Sequence, residues 1–149
     1  MSTTRPVNEV LDQLAELDGT PVQLEGVLQV HEEGYEVQHY PKAQRRPQYT
    51  ENSHSYQAGI WLAFGTGSIQ PNAIALKRWQ GKRVRVSGVI RSLASLPPFG
   101  SLGKGGFGPW GFWPAEIETY SVQRVTAEER REMTRRFNEQ VQHRLVPLV

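Results

Sequence analysis

Two hydrophobic periods alternate along the chain. In residues 7–17, "VNEVLDQLAEL", the apolar positions Val7, Val10, Leu11, Leu14 and Leu17 recur every three or four residues. Asn8, Glu9, Asp12, Gln13 and Glu16 lie between them. That spacing lines one side of a helix, and Gly19 is a natural stop. From residue 21 the period falls to two. Val22, Leu24, Leu28 and Val30 share a parity, which predicts a strand with one buried face, running to His31. Gly26 sits among them, as at a bulge or sharp bend. "HEEG" (31–34) reads as a turn, and "YEVQHY" (35–40) as a second strand.

Residues 41–57, "PKAQRRPQYTENSHSYQ", break the alternation with two prolines and many polar side chains. A long surface insertion is expected, with Arg45 and Arg46 exposed. A third strand follows in "AGIWLAFG" (58–65). Ile60, Leu62 and Phe64 point one way, and Trp61 and Ala63 the other. After a loop, "PNAIALKRWQG" (71–81) predicts a short helix, with Pro71 near its first turn and Gly81 at its end. "KRVRVSGVIRS" (82–92) returns to period two. Val84, Val86 and Ile90 fall on one face, and Arg83, Arg85, Ser87 and Arg91 on the other.

A glycine-rich loop separates this fourth strand from a fifth, "AEIETYSVQRV" (115–125). The parity of the fifth strand is mixed, as a bulge would make it. At residue 126 a capping box begins, in which Thr126 caps and Glu129 reaches back. Met133, Phe137, Val141 and Leu145 then repeat every four residues, a narrow stripe on a C-terminal amphipathic helix. The expected division is therefore a β domain with its N-terminal helix over 1–125. The helix over 126–149 would dock on it or serve association.

Three strands, a short helix and two further strands form the element order of the oligonucleotide/oligosaccharide-binding (OB) fold. The chain resembles that superfamily over residues 17–125, through order and the glycine-bearing strands alone. The resemblance implies an all-β core with flanking helices, closed as a five-stranded Greek-key barrel. Gly26 would be the bend that lets the first strand serve both halves. The inward set would be Val22, Leu24, Leu28, Val30, Ile60, Leu62, Phe64, Val84, Val86 and Ile90. An SH3-like barrel or another small sandwich would share much of this pattern.

Composition narrows the chemistry. The 149 residues suit one domain. There is no cysteine, which excludes disulfides, thiol catalysis and cysteine-ligated zinc. His31, His39, His54 and His143 are scattered without a ligand-pair spacing, so no metal is expected. The net charge of +2 permits an anionic partner without demanding one. No apolar run approaches a membrane span, and the first residues lack the core of a signal peptide. A cytoplasmic location without membrane association is the expectation.

Residues 103–108, "GKGGFG", match G-x-G-x-x-G formally. Prolines at 97, 98, 109 and 114 exclude the helix that a dinucleotide site needs. Glu116 and Glu118 share a strand face, yet no motif places a carboxylate pair in a pocket. Neither a catalytic residue nor a cofactor is expected. The loop carries Phe99, Phe107, Trp110, Phe112 and Trp113 on a glycine-rich backbone. In an OB-fold such a loop helps bind ligand.

Single-stranded nucleic acid needs cations for phosphates and flat rings for bases. Arg83, Arg85, Arg91 and Lys104 would supply the cations, and Trp61, Phe107 and Trp110 the rings. Two readings compete with that one. The loop aromatics would be anchors for a protein partner, or a platform for an oligosaccharide or other small ligand.

Overall fold

A computed structural model of the chain describes residues 4–51, 54–64, 73–95 and 106–126. The strands are Thr4–Pro6 (β1), Pro21–His31 (β2), Gly34–Gln38 (β3), Tyr49–Glu51 (β4), His54–Tyr56 (β5), Gly59–Ala63 (β6), Arg83–Ser92 (β7) and Ala115–Arg124 (β8). Three short helices flank them: Val7–Asp12 (α1), Leu14–Leu17 (α2) and Ala73–Arg78 (α3). The expected C-terminal helix and Lys104 lie outside the described residues.

Six strands form one mixed sheet in the order β1-β2-β3-β6-β8-β7, and β2 pairs with β7 as well. The ladders therefore return to their start. Strand β2 makes this geometry. Its residues 21–27 pair with β7 and its residues 27–31 with β3, both antiparallel. Gly26 lies at the exchange. A Cβ there would run into the Gln38 carbonyl oxygen and come within 2.5 Å of Val37 Cγ1. Only a residue without a side chain lets the strands approach so closely. Strand β6 meets β8 in parallel, and β7 meets β8 antiparallel.

The core lies inside these ladders. Leu24, Leu28, Ile60, Leu62, Val84, Val86 and Ile90 are buried, as the period-two reading requires, while Val22, Val30 and Phe64 pack against them half-covered. Burying each such side chain fully contributes roughly 1.5–3 kcal/mol. Val7, Val10, Leu11 and Leu14 complete the core from the N-terminal helices. The single helix expected over 7–17 is two helical pieces, broken at Gln13 (φ −122°, ψ 24°). The apolar stripe survives the break because both pieces keep it against the sheet.

Residues 41–57 contain more order than their polarity suggests. A 3-10 turn covers Lys42–Gln44, and β4 and β5 form a separate hairpin. Arg46 is not a bare surface cation. It grips the Asp12 carboxylate with two hydrogen bonds of 2.6 and 3.0 Å. Among the described residues no helix is long and apolar enough to cross a membrane, and no cluster of ligating side chains is placed to hold a metal.

Candidate functional site

The alternation of β7 turns Arg83, Arg85 and Arg91 away from the buried Val84, Val86 and Ile90. They do not form the open guanidinium wall expected of them. Arg83 is paired with Glu25 at 3.0 Å, both largely covered. Arg91 is paired with Glu118 at 2.9 Å. Arg85 is half-buried and likewise not free. The reason is cross-strand: β2 and β8 flank β7 and carry carboxylates at facing positions, Glu25 opposite Arg85 and Glu116 opposite Arg91. Burial raises the Glu116 carboxyl above its ordinary value; nearby Arg91 opposes the shift and Glu118 adds to it.

Cations gather instead where β7 begins. A cleft of about 210 Å³ is lined by Val27, Tyr40, Gly81, Lys82, Arg83, Arg124 and Val125. The Arg83 guanidinium lies 4.0 Å from the centre of the Tyr40 ring, and that ring is 44% exposed. Lys82 and Arg124 are exposed and make no ion pair among the described residues. Lys77 and Arg78, exposed on the last turn of α3, lead into the same connection.

A second cluster sits on the outer face of β3 and β6. Trp61 and Trp113 stand 4.5 Å apart between ring centres, and Phe107 joins them. His31 stacks on Trp61 at 5.9 Å and meets Trp113 edge-on at 5.6 Å. Beneath them Glu36, only 4% exposed, accepts a 2.8 Å hydrogen bond from Trp113 Nε1. It shares another of 2.7 Å with the His31 ring and accepts a third from Gln38. The glycines fit these rings: a Cβ on Gly34 would strike the Trp61 ring, and one on Gly108 would stand 2.6 Å from Trp113.

Trp61 and Phe107, 7% and 8% exposed, are thus spent on internal packing rather than held out for stacking. Trp113 draws them in because its indole N–H finds a buried acceptor on β3. Trp110 differs: it is 83% exposed, and Phe112 beside it 45%. An open cavity of about 240 Å³ lies between these two rings, Trp61, His31 and the β2–β3 turn residues Glu32 and Glu33.

The structure thus separates the expected site residues. Arg83 goes to the basic cleft, Trp61 and Trp110 to the aromatic cavity, and Arg85 and Arg91 to the wall between strands. The sequence pattern did not single out Tyr40, Arg124, His31 or Glu36; Tyr40 meets Arg83 and Glu36 meets Trp113 only across the fold. Neither cavity includes Glu116 or Glu118.

No family model and no curated protein matches the chain. Among solved structures it is similar to a chain described as an aspartyl-tRNA synthetase from Leishmania major Friedlin. The identity is 14% and the TM-score 0.41, over 84% of this chain and 21% of that longer one. A likeness this distant says nothing about function.

Proposed function

We propose that the protein is a non-catalytic binding module of the OB type that takes single-stranded nucleic acid. The strand order β2-β3-β6-β8-β7, returning to β2, supports the OB assignment, as does the placement of α3 between β6 and β7. Fold does not define ligand. The ligand reading rests on one observation: Lys82, Arg83 and Arg124 surround the half-exposed Tyr40 ring in one cleft.

Phosphates need cations that are not already neutralised, and Lys82 and Arg124 meet that need. Bases need a flat ring, which Tyr40 offers, with Arg83 packed against it. The revised site keeps Arg83 from the sequence reading. It leaves out Arg91, whose charge is answered by Glu118.

Fluorescence anisotropy with labelled oligonucleotides of about 12 nucleotides, at about 25 and 250 mM salt, tests the proposal. Binding is expected at low salt and should weaken steeply at high salt. The double variant Lys82→Ala/Arg124→Ala should lower the slope of log K against log salt by roughly 1.4, two phosphate contacts on a single strand. Tyr40→Ala should cost about 1–3 kcal/mol of binding without changing that slope. Absence of binding at low salt, or a double variant that binds like the parent, would reject the site.

A further inference from the structure

The aromatic cavity carries charge of the wrong sign for nucleic acid. Glu32 and Glu33 are exposed at the tip of the β2–β3 turn, and among the described residues neither forms an ion pair. Both border the cavity. Phosphates would meet two uncompensated carboxylates there. A cation would meet those carboxylates and the faces of several rings together.

The segment that supplies the rings is built as a rigid presenter. Phe107 N–H donates to the Trp113 carbonyl at 2.8 Å, and Trp113 N–H donates back to the Phe107 carbonyl at 3.1 Å. Those two bonds close the loop at its base, and both base side chains are buried against Trp61. A third bond ties the loop sideways, from Gln57 N–H to the Phe112 carbonyl at 2.7 Å. At the tip, Trp110 holds φ +62°, in the left-handed region that a bulky residue adopts only under strain. Among the described residues no hydrogen bond, ion pair or ring contact of the Trp110 side chain accounts for the strain or the 83% exposure. Both are accounted for if the indole is displayed for a partner, since a side chain fixed before contact loses little entropy on binding.

We infer that this cavity docks an arginine side chain on a protein partner, between the Trp110 and Phe112 rings and the Glu32/Glu33 carboxylates. Arginine fits better than lysine. Its planar guanidinium stacks on an indole face while its edge hydrogen-bonds to carboxylates. The site is separate from the Tyr40 cleft and does not depend on it: it takes a cation, and the cleft takes an anion.

The test titrates the full chain with a short acetylated glycine–arginine peptide and with its citrulline counterpart, equal in shape but neutral. Isothermal titration calorimetry reads the affinities, so the readout does not depend on any tryptophan. The arginine peptide should bind at least about tenfold more tightly than the citrulline one. Trp110→Ala should abolish the difference, and Glu32→Gln/Glu33→Gln should reduce it several-fold. Near-UV circular dichroism confirms that the buried tryptophans keep their packing in both variants. Three results would each overturn the inference: equal affinity for the two peptides, an arginine preference that survives Trp110→Ala, or displacement of the peptide by an oligonucleotide competing for the cavity.

Discussion

Glu36 shows how one side chain holds a surface together. Its carboxylate is buried on the outer face of β3 and serves Trp113, His31 and Gln38 at once. Trp113 Nε1 has no water to turn to, because both partners of that bond are buried. Glu36→Ala should therefore cost about 1–3 kcal/mol for the stranded donor, with a further loss for the space left behind. Glu36→Gln keeps an acceptor and should cost less. Urea unfolding of both variants checks this: the midpoint should fall for the alanine with little change in slope. A midpoint unmoved by Glu36→Ala would mean that the aromatic cluster stands without the carboxylate. None of this was legible in "YEVQHY", which reads only as a second strand. Its partner Trp113 is 77 residues away.

Helix α1 starts at Pro6 with no side-chain cap of its own. The N–H of Asn8 in its first turn is instead taken by Nδ1 of His39, at 3.1 Å, from the end of β3. One helix start is thus tied to one strand end by a neutral imidazole. Burial lowers the His39 pKa from its ordinary 6.5; a bond to Gln44 opposes this, and Arg46 and Arg45 add to it. The folded state thus binds this proton less readily than the unfolded chain. Its contribution is complete above pH 6.5 and is lost as pH falls through the lowered folded value. Thermal melts at about pH 7.5 and about pH 5 should show this loss, and His39→Gln should flatten the difference. An unchanged pH dependence in the variant would exclude His39 as its source. The elements themselves were largely readable from period. Strand β8 is the instructive case. Its mixed parity is a bulge: Ser121 faces Ser87, but Thr119 faces Gly88, leaving Tyr120 extra and exposed. Ala115, Ile117 and Thr119 point inward before it and Val122 after it. Strands β4 and β5 escaped notice because three-residue strands that pair only with each other carry no periodic signature.

The six-stranded ladders tie the molecule together, while β4 and β5 pair only with each other and meet the core through Tyr49. Native-state hydrogen exchange should reflect that division. Amides of Leu24, Val86 and Ile117, central in β2, β7 and β8, should be among the slowest. Those of β4 and β5 should open with a distinctly lower free energy. Equal protection in both would mean that the insertion folds as part of the ring. The two candidate sites also divide by charge, with Lys82 and Arg124 at one and Glu32 and Glu33 at the other. A net charge of +2 conceals this, since a sum over 17 basic and 15 acidic residues carries no positions.

Period and punctuation were enough to place β2, β3, β6, β7, β8 and α3, to turn Arg83, Arg85 and Arg91 outward, and to mark Gly26 as the bend. Those are local properties, set by which neighbours in the chain share a face. Whether an outward arginine meets water or a carboxylate, and whether a loop tryptophan is displayed or folded in, depends on which strands lie side by side. Glu25 lies about sixty residues from the arginine it neutralises, and Glu36 lies farther still from the indole it anchors. Such pairings are made only when the ladders close, and they decided which charges and rings are left for a partner.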